Sequence, residues 1–201
     1  MARNGENNKA CSAGTSVEHT LRPDAALAAR RRRTCNIAVF LVVALAWVLL
    51  DVATKRHFNA FVPGELVGGP YAGIFQLRLV HNTGAAWGIF DDATFALGVF
   101  SLVVCGVVLA YALASAKSSS PLLTGALALV FAGGVGNALD RFTLGYVVDF
   151  IEPVFIDFPV FNVADIGVTC GIVLVLVALL WEWRHAEDTA GNDSREGGER
   201  A

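Results

Sequence analysis

Residues 133–168 read G-G-V-G-N-A-L-D-R-F-T-L-G-Y-V-V-D-F-I-E-P-V-F-I-D-F-P-V-F-N-V-A-D-I-G-V, and the reading of this run decides how the chain is arranged. It is rich in acids and amides, and it is held between two apolar segments, Leu122–Leu139 and Ile166–Trp183. Each segment is about long enough to cross a bilayer, which takes roughly 20 apolar residues per helix. Asp140, Arg141, Asp149, Asn162 and Asp165 therefore fall at a membrane boundary. An Asp at a helix centre costs about 2.5–3.5 kcal/mol on insertion scales and less near the interface, so these groups call for a partner or a function.

Two more apolar runs lie upstream, Cys35–Leu50 and Ala93–Ala114. The first follows Arg30–Arg33 in the manner of an export signal, but it ends in Asp51-Val52-Ala53-Thr54-Lys55 without a small-x-small cleavage site, which predicts a transmembrane helix and not a cleaved leader. Between Lys55 and Asp91 the helix breakers Pro63, Gly64, Gly68, Gly69, Pro70 and Gly73 intervene, and Ile74–Val80 alternates as a strand does, with Gln76 and Arg78 on one side. Ser115–Pro121 is a turn between the second and third spans. With 201 residues and 55% hydrophobic composition, the expected fold is an all-α membrane protein of four transmembrane helices with a small β-like outward-facing loop region on the membrane surface. Residues 1–33 are expected to be a disordered Arg-rich cytoplasmic tail, 34–184 the four-span domain, and 185–201 a second disordered cytoplasmic tail.

Orientation follows from Lys and Arg placement. Four spans put both tails and the Ser-rich turn on one side with eleven of the fifteen Lys and Arg, against Lys55, Arg56, Arg78 and Arg141 on the other. Both termini are thus expected in the cytoplasm and the acidic loops at the outer face. The net charge of −3 averages basic tails and acidic loops and points to no nucleic-acid partner. Cys11, Cys35, Cys105 and Cys170 contain no C-x-x-C pair, and His19, His57, His81 and His185 are scattered, so neither a disulfide framework nor a metal or cofactor site is expected.

Asp165 lies at the start of the fourth span and Asp149 in the outward loop that feeds it, so both can reach one spot at the outer boundary. Two carboxylates brought together cannot both ionise cheaply, so one keeps its proton near neutrality, giving a general acid and a general base that activate water against a peptide carbonyl. The plainer alternative makes Asp165 a helix N-cap and Asp149 a solvated loop acid. Asn137 and Arg141, four apart on one helix face, point an amide and a guanidinium the same way; alternatively Arg141 pairs with Asp140 and snorkels to water. Asp51 and Lys55 form an i,i+4 pair, read as structural or as a lipid-headgroup contact. Asn82-Thr83-Gly84-Ala85-Ala86-Trp87-Gly88 suits close backbone approach to a ligand. No serine has a base nearby. A carrier or channel, the rival class, would spread ionisable residues through the bilayer depth, whereas here the acids gather at one face. A lipoprotein-binding chaperone without hydrolysis differs only in lacking cleavage.

Taken in order, D-V-A-T-K, N-T-G-A-A-W-G, G-N-A-L-D-R-F-T-L-G-Y-V-V-D-F-I and F-N-V-A-D closely resemble the motifs of the lipoprotein signal peptidase family, bacterial signal peptidase II, over roughly Asp51–Trp183. The resemblance implies an aspartic endopeptidase that cleaves diacylglyceryl-modified prolipoproteins before the lipidated Cys, acts in the cytoplasmic membrane among membrane lipids as a monomer, and is inhibited by globomycin-type cyclic peptides. It implies Asp149 and Asp165 as catalytic, with Asn82, Asn137, Asp140, Arg141, Asn162, Asp51 and Lys55 as supporting polar positions. Two departures stand out: Trp87 where the family has Phe, and Ile166-Gly167 where a Ser is common after the second aspartate.

Overall fold

The structure is a computed structural model that describes the backbone of residues 14–84 and 93–198 and the side chains of residues 25–84 and 93–184. Its elements in chain order are α1 (Gly14–Phe58), β1 (Leu66–Tyr71), β2 (Phe75–Asn82), α2 (Thr94–Ser115), α3 (Pro121–Thr143), β3 (Val147–Pro153) and α4 (Val163–Gly198). Four helical segments are long and apolar enough to cross a membrane: Ala25–Phe58 of α1, α2, α3 and Val163–Arg184 of α4. This is the expected four-span architecture. Leu41, Val42, Phe100, Val107, Leu176 and Leu180 stay exposed along α1, α2 and α4, as side chains facing lipid do.

α3 is the hub. Half of its apolar window is buried, against 17–22% in the other three, and it packs on α1, α2 and α4. The cause is its run of small residues, which lets neighbouring backbones approach. A β-carbon at Gly133 would meet the Ala164 carbonyl of α4, and one at Gly136 would meet the Asp51 carboxylate of α1. Around these contacts Phe40, Leu123, Leu127, Ala128 and Ala132 form the main core, with the Phe40 and Phe131 rings 5.4 Å apart. α3 starts where Ser120 accepts the Leu123 amide at 3.2 Å and Pro121 occupies the first turn, the usual chemistry of a helix start.

β1, β2 and β3 form one antiparallel sheet in that order. β2 covers the alternating run expected to be a strand. β3 was not expected: residues 147–153 were read as outward loop, yet Val80 pairs with Asp149 and Asn82 with Val147. Val147-Val148-Asp149-Phe150-Ile151 is β-branched and aromatic around a single acid, which suits a pleated, buried surface. Leu79, Val148 and Phe150 make a second core beneath the sheet, and the Phe58 ring at the end of α1 stacks on Phe150 at 4.0 Å. The sheet is thereby seated on one end of the helix bundle.

The tails also differ from expectation. Helix continues upstream of the first span to Gly14 and downstream of the fourth to Gly198, where disorder was expected. The first span's helical run is not interrupted at Arg30–Arg33, because arginine is a good helix former. Residues 1–13 and 199–201 lie outside the described residues.

Candidate active site

β3 carries Asp149 into the interior, where it is 2% exposed. Its Oδ2 accepts a hydrogen bond from Asn82 Nδ2 at 2.9 Å, and its Oδ1 accepts one from Asn162 Nδ2 at 2.6 Å. Asn82, on the neighbouring strand, is itself held by the Gly84 amide, which donates to its Oδ1 at 3.0 Å. Asp149 is therefore no solvated loop acid. Burial, with the charge of Asp165 next in size, pushes its carboxyl up to about 7; the Asn82 and Asn162 amides pull the other way.

Asp165 reaches the same place from α4. Asn162 caps that helix: its Oδ1 accepts the Asp165 amide at 3.1 Å, while Asp165 Oδ2 accepts the Asn162 amide at 3.1 Å. This is a reciprocal capping box, so Asp165 stands three residues inside the helix and Asn162, not Asp165, is the N-cap. The remaining oxygen of Asp165 accepts Asn137 Nδ2 at 2.7 Å. Asn162 Nδ2 also donates to Asn137 Oδ1 at 3.0 Å, so two amides link the two aspartates from below.

Lys55 and Asn162 together fix which way Asn137 faces. Lys55 Nζ donates to Asn137 Oδ1 at 2.8 Å, and since an ammonium cannot accept, the amide nitrogen is left to point at Asp165. Lys55 is 3% exposed and also pairs with Asp51 at 2.9 Å and Asp140 at 3.2 Å. Both acids have second duties: Asp51 Oδ1 accepts the Ala164 amide at the start of α4 at 2.8 Å, and Asp140 Oδ2 accepts the Val148 amide of β3 at 3.1 Å. The Asp51–Lys55 pair is thus a buried structural link, and the lipid-headgroup alternative does not hold. Arg141 does not pair with Asp140 either; its guanidinium donates to the carbonyls of Asn137 and Gly84, each at 3.4 Å.

Asn82, Asn137, Arg141, Asp149 and Asp165 line a cavity of about 550 Å³ whose other walls are mostly apolar, Val147, Phe158–Phe161 and Ile166, with Thr169 and Cys170. All nine polar positions singled out in the sequence belong to one connected network at this end of the bundle. The buried charged residues among those described, Asp51, Lys55, Asp140 and Asp149, are all in it, and this gathering is not the depth-wise spread of a carrier. The apolar wall of Phe158–Phe161 is not among the sequence-based candidates; its run of Phe, Pro and Val carries no polar mark by which to find it. Trp87 and its neighbours 85–92 lie outside the described residues.

Chemically, the cavity offers two carboxylates supported by amides, one of them raised to about 7, beside a guanidinium and a largely apolar wall. The family model for signal peptidase II matches residues 43–181. The chain is 46% identical over 149 residues to the lipoprotein signal peptidase of Symbiobacterium thermophilum, covering 70% of this chain and 93% of that protein. It is 34% identical over 156 residues to the one from Staphylococcus carnosus, covering 75% and 96%. Among solved structures it is similar to a bacterial membrane enzyme determined by the in meso method at 2.3 Å resolution, with a TM-score of 0.66, 29% identity, and 73% of this chain and 90% of that chain covered.

Proposed function

Because this chain belongs to the signal peptidase II family of aspartic peptidases, which remove signal peptides from lipoprotein precursors, we propose that Asp149 and Asp165 are the pair that performs the cleavage. The observation that carries this reading is the double amide link: Asn162 and Asn137 hold the two carboxylates at one end of a single cavity. A water between them is the nucleophile. Asp165, both of whose oxygens accept N–H donors at the start of a helix, takes the water's proton as the oxygen attacks the scissile carbonyl. Asp149, which retains a proton near neutrality, donates to the carbonyl oxygen as it gains charge. Collapse of the tetrahedral species breaks the C–N bond. The leaving amine takes the proton held by Asp165, and Asp149 recovers its own.

The bond cut is the one before the lipid-modified Cys. The substrate's acyl chains stay in the bilayer and its signal helix lies along the apolar wall of Phe158, Phe161 and Ile166, so the membrane supplies part of the positioning. With both termini in the cytoplasm, the cavity opens at the outer face. One chain supplies every residue of the network, which favours a functional monomer.

The test is Asp149→Asn and Asp165→Asn, made separately. Each is nearly isosteric but cannot shuttle a proton, and each keeps one of the two acceptors that the carboxylate presents. Each variant should insert and bind lipidated precursor while losing cleavage by at least about a hundredfold, the low end for an acid–base group. The double variant should be little worse than either single one, because residues acting as a unit fail together. Substantial cleavage by either single variant would mean that other carboxylates do the chemistry.

A further inference from the structure

The end of the bundle away from the cavity carries a concentration of positive charge that the signal-peptide chemistry does not use. Arg30, Arg31, Arg32 and Arg33 are helical and all exposed. Successive residues on a helix are about 100° apart, so four in a row surround it instead of marking one face. No salt bridge among the described residues engages them. They also lie upstream of residues 43–181, the part that matches the family.

Their depth is set by two cross-links. Asn36, 1% exposed, donates to the carbonyls of Ala116 and Ser119 at 3.1 and 2.9 Å, tying α1 to the α2–α3 turn at this end. At the other end Asp51 is tied to the start of α4. At 1.5 Å per residue, Asp51 is roughly 22 Å along α1 from Asn36 and about 27–32 Å from Arg33–Arg30. The hydrocarbon core is about 30 Å thick, so with the Asp51 network at one boundary the arginines fall at the opposite headgroup layer. Lys117 in the turn and Arg184 at the end of Val163–Arg184 are exposed at the same end. Among the residues whose side chains are described there, Glu182 is the acid beside the turn, and it faces the Ser120 amide.

We infer that Arg30–Arg33 form a collar that binds the phosphate headgroups of anionic phospholipids in the leaflet opposite the cavity. Depth favours lipid over a soluble polyanion. The collar starts one turn beyond Asn36, where guanidinium groups reach phosphates without leaving the helix, and radial exposure lets several lipids be held at once.

The test reconstitutes the full chain in phosphatidylcholine vesicles containing about 30 mol% phosphatidylglycerol, an anionic content at which basic segments beside a span select lipid. Either lipid is brominated in turn, and tryptophan quenching is read from Trp181 and Trp183, exposed near this boundary. The wild type should favour the anionic lipid by about threefold or more, and about 0.5 M salt should weaken the preference. Arg30→Gln/Arg31→Gln/Arg32→Gln/Arg33→Gln should bring it close to unity. Arg31→Gln/Arg33→Gln should fall between, and replacing all four by Lys should retain it. Cleavage in pure phosphatidylcholine should be unchanged in every variant, since none lines the cavity. A wild type without preference, a quadruple Gln variant that keeps it, or a Lys variant that loses it would overturn the collar. So would a wild type that retains transfer RNA on phosphatidylcholine vesicles while showing no lipid enrichment.

Discussion

The two ends of α1 are fastened to the rest of the bundle by different chemistry. Near the collar, a neutral amide, Asn36, holds the turn through two carbonyls, and it does so fully buried. Near the cavity, the same task of joining α1 to a neighbouring element falls to Asp51, whose charge then requires Lys55, which in turn requires Asp140 and orients Asn137. A neutral link is enough to fasten helices. Burying three charges is costly even when they are paired, so the charged end has a role beyond fastening: it sets the direction of an amide that serves Asp165.

Lys55→Met should break that contrast most severely. It leaves Asp51 and Asp140 buried without a cation, a loss of about 3–5 kcal/mol for removing one partner of a buried pair, and it removes one of the two donors on Asn137 Oδ1. Unfolding in detergent should shift accordingly. Cleavage should fall also in the fraction that remains folded, since Asn137 is then held toward Asp165 by the Asn162 donor alone. Retained activity in Lys55→Met would reduce the charged end to a fastening like the other.

A pH series sharpens the same point. Asp149 has its carboxyl raised from 3.8 to about 7 by burial and by Asp165. Below about pH 4 it is protonated both folded and unfolded and contributes no pH dependence. As pH rises from there toward 7, the unfolded chain ionises it while the folded chain does not, so its contribution to stability declines by up to about 1.4 kcal/mol per pH unit and levels off above 7. Asp149→Asn should remove that slope. In the wild type, cleavage should fall as pH rises through about 7, where the general acid loses its proton. A melting temperature with the same pH dependence in Asp149→Asn would show that the group titrates elsewhere.

Asn36→Ala should cost about 1–3 kcal/mol of stability, the value of buried carbonyls left without donors, while cleavage by the folded protein stays within about twofold. The smallest effect belongs to Asp157→Asn. This acid lies in the 154–161 segment without a hydrogen bond or ion pair to the network, and it should change stability by no more than about 0.5 kcal/mol, as surface substitutions do, with cleavage near wild type. If Asp157→Asn damaged cleavage as much as the Asp149 variant, the division between network and surrounding acids would be wrong.

What could be read from the residues alone is what depends on local sequence. Leu122–Leu139 and Ile166–Trp183 announce spans because a helix in lipid satisfies its own backbone and needs only enough consecutive apolar residues. Asp51, Asn82, Asn137, Asp140, Arg141, Asp149, Asn162 and Asp165 stood out as polar groups at a boundary where such groups are costly, and the order of their motifs identified the family. Helix in the 14–33 and 185–198 segments was not legible, since polar composition without an apolar face predicts no packing to hold it.

Tertiary structure alone decided what each polar group does. That 147–153 is a strand depends on its pairing with β2, some seventy residues away in the chain, and without that pairing Asp149 reads as a solvated acid. That Asn162 is the cap and Asp165 the capped partner depends on a one-turn geometry that either residue type could have served. That Lys55 helps hold Asn137 toward Asp165 depends on a contact between α1 and α3, made possible because Gly136 lets Asp51 lie against the α3 backbone. Hydropathy and helix period act over neighbouring residues and are written in order along the chain. Hydrogen-bond direction and burial arise only when distant segments meet, and in this protein burial beside Asp165 raises the Asp149 carboxyl while the Asn82 and Asn162 amides pull it down.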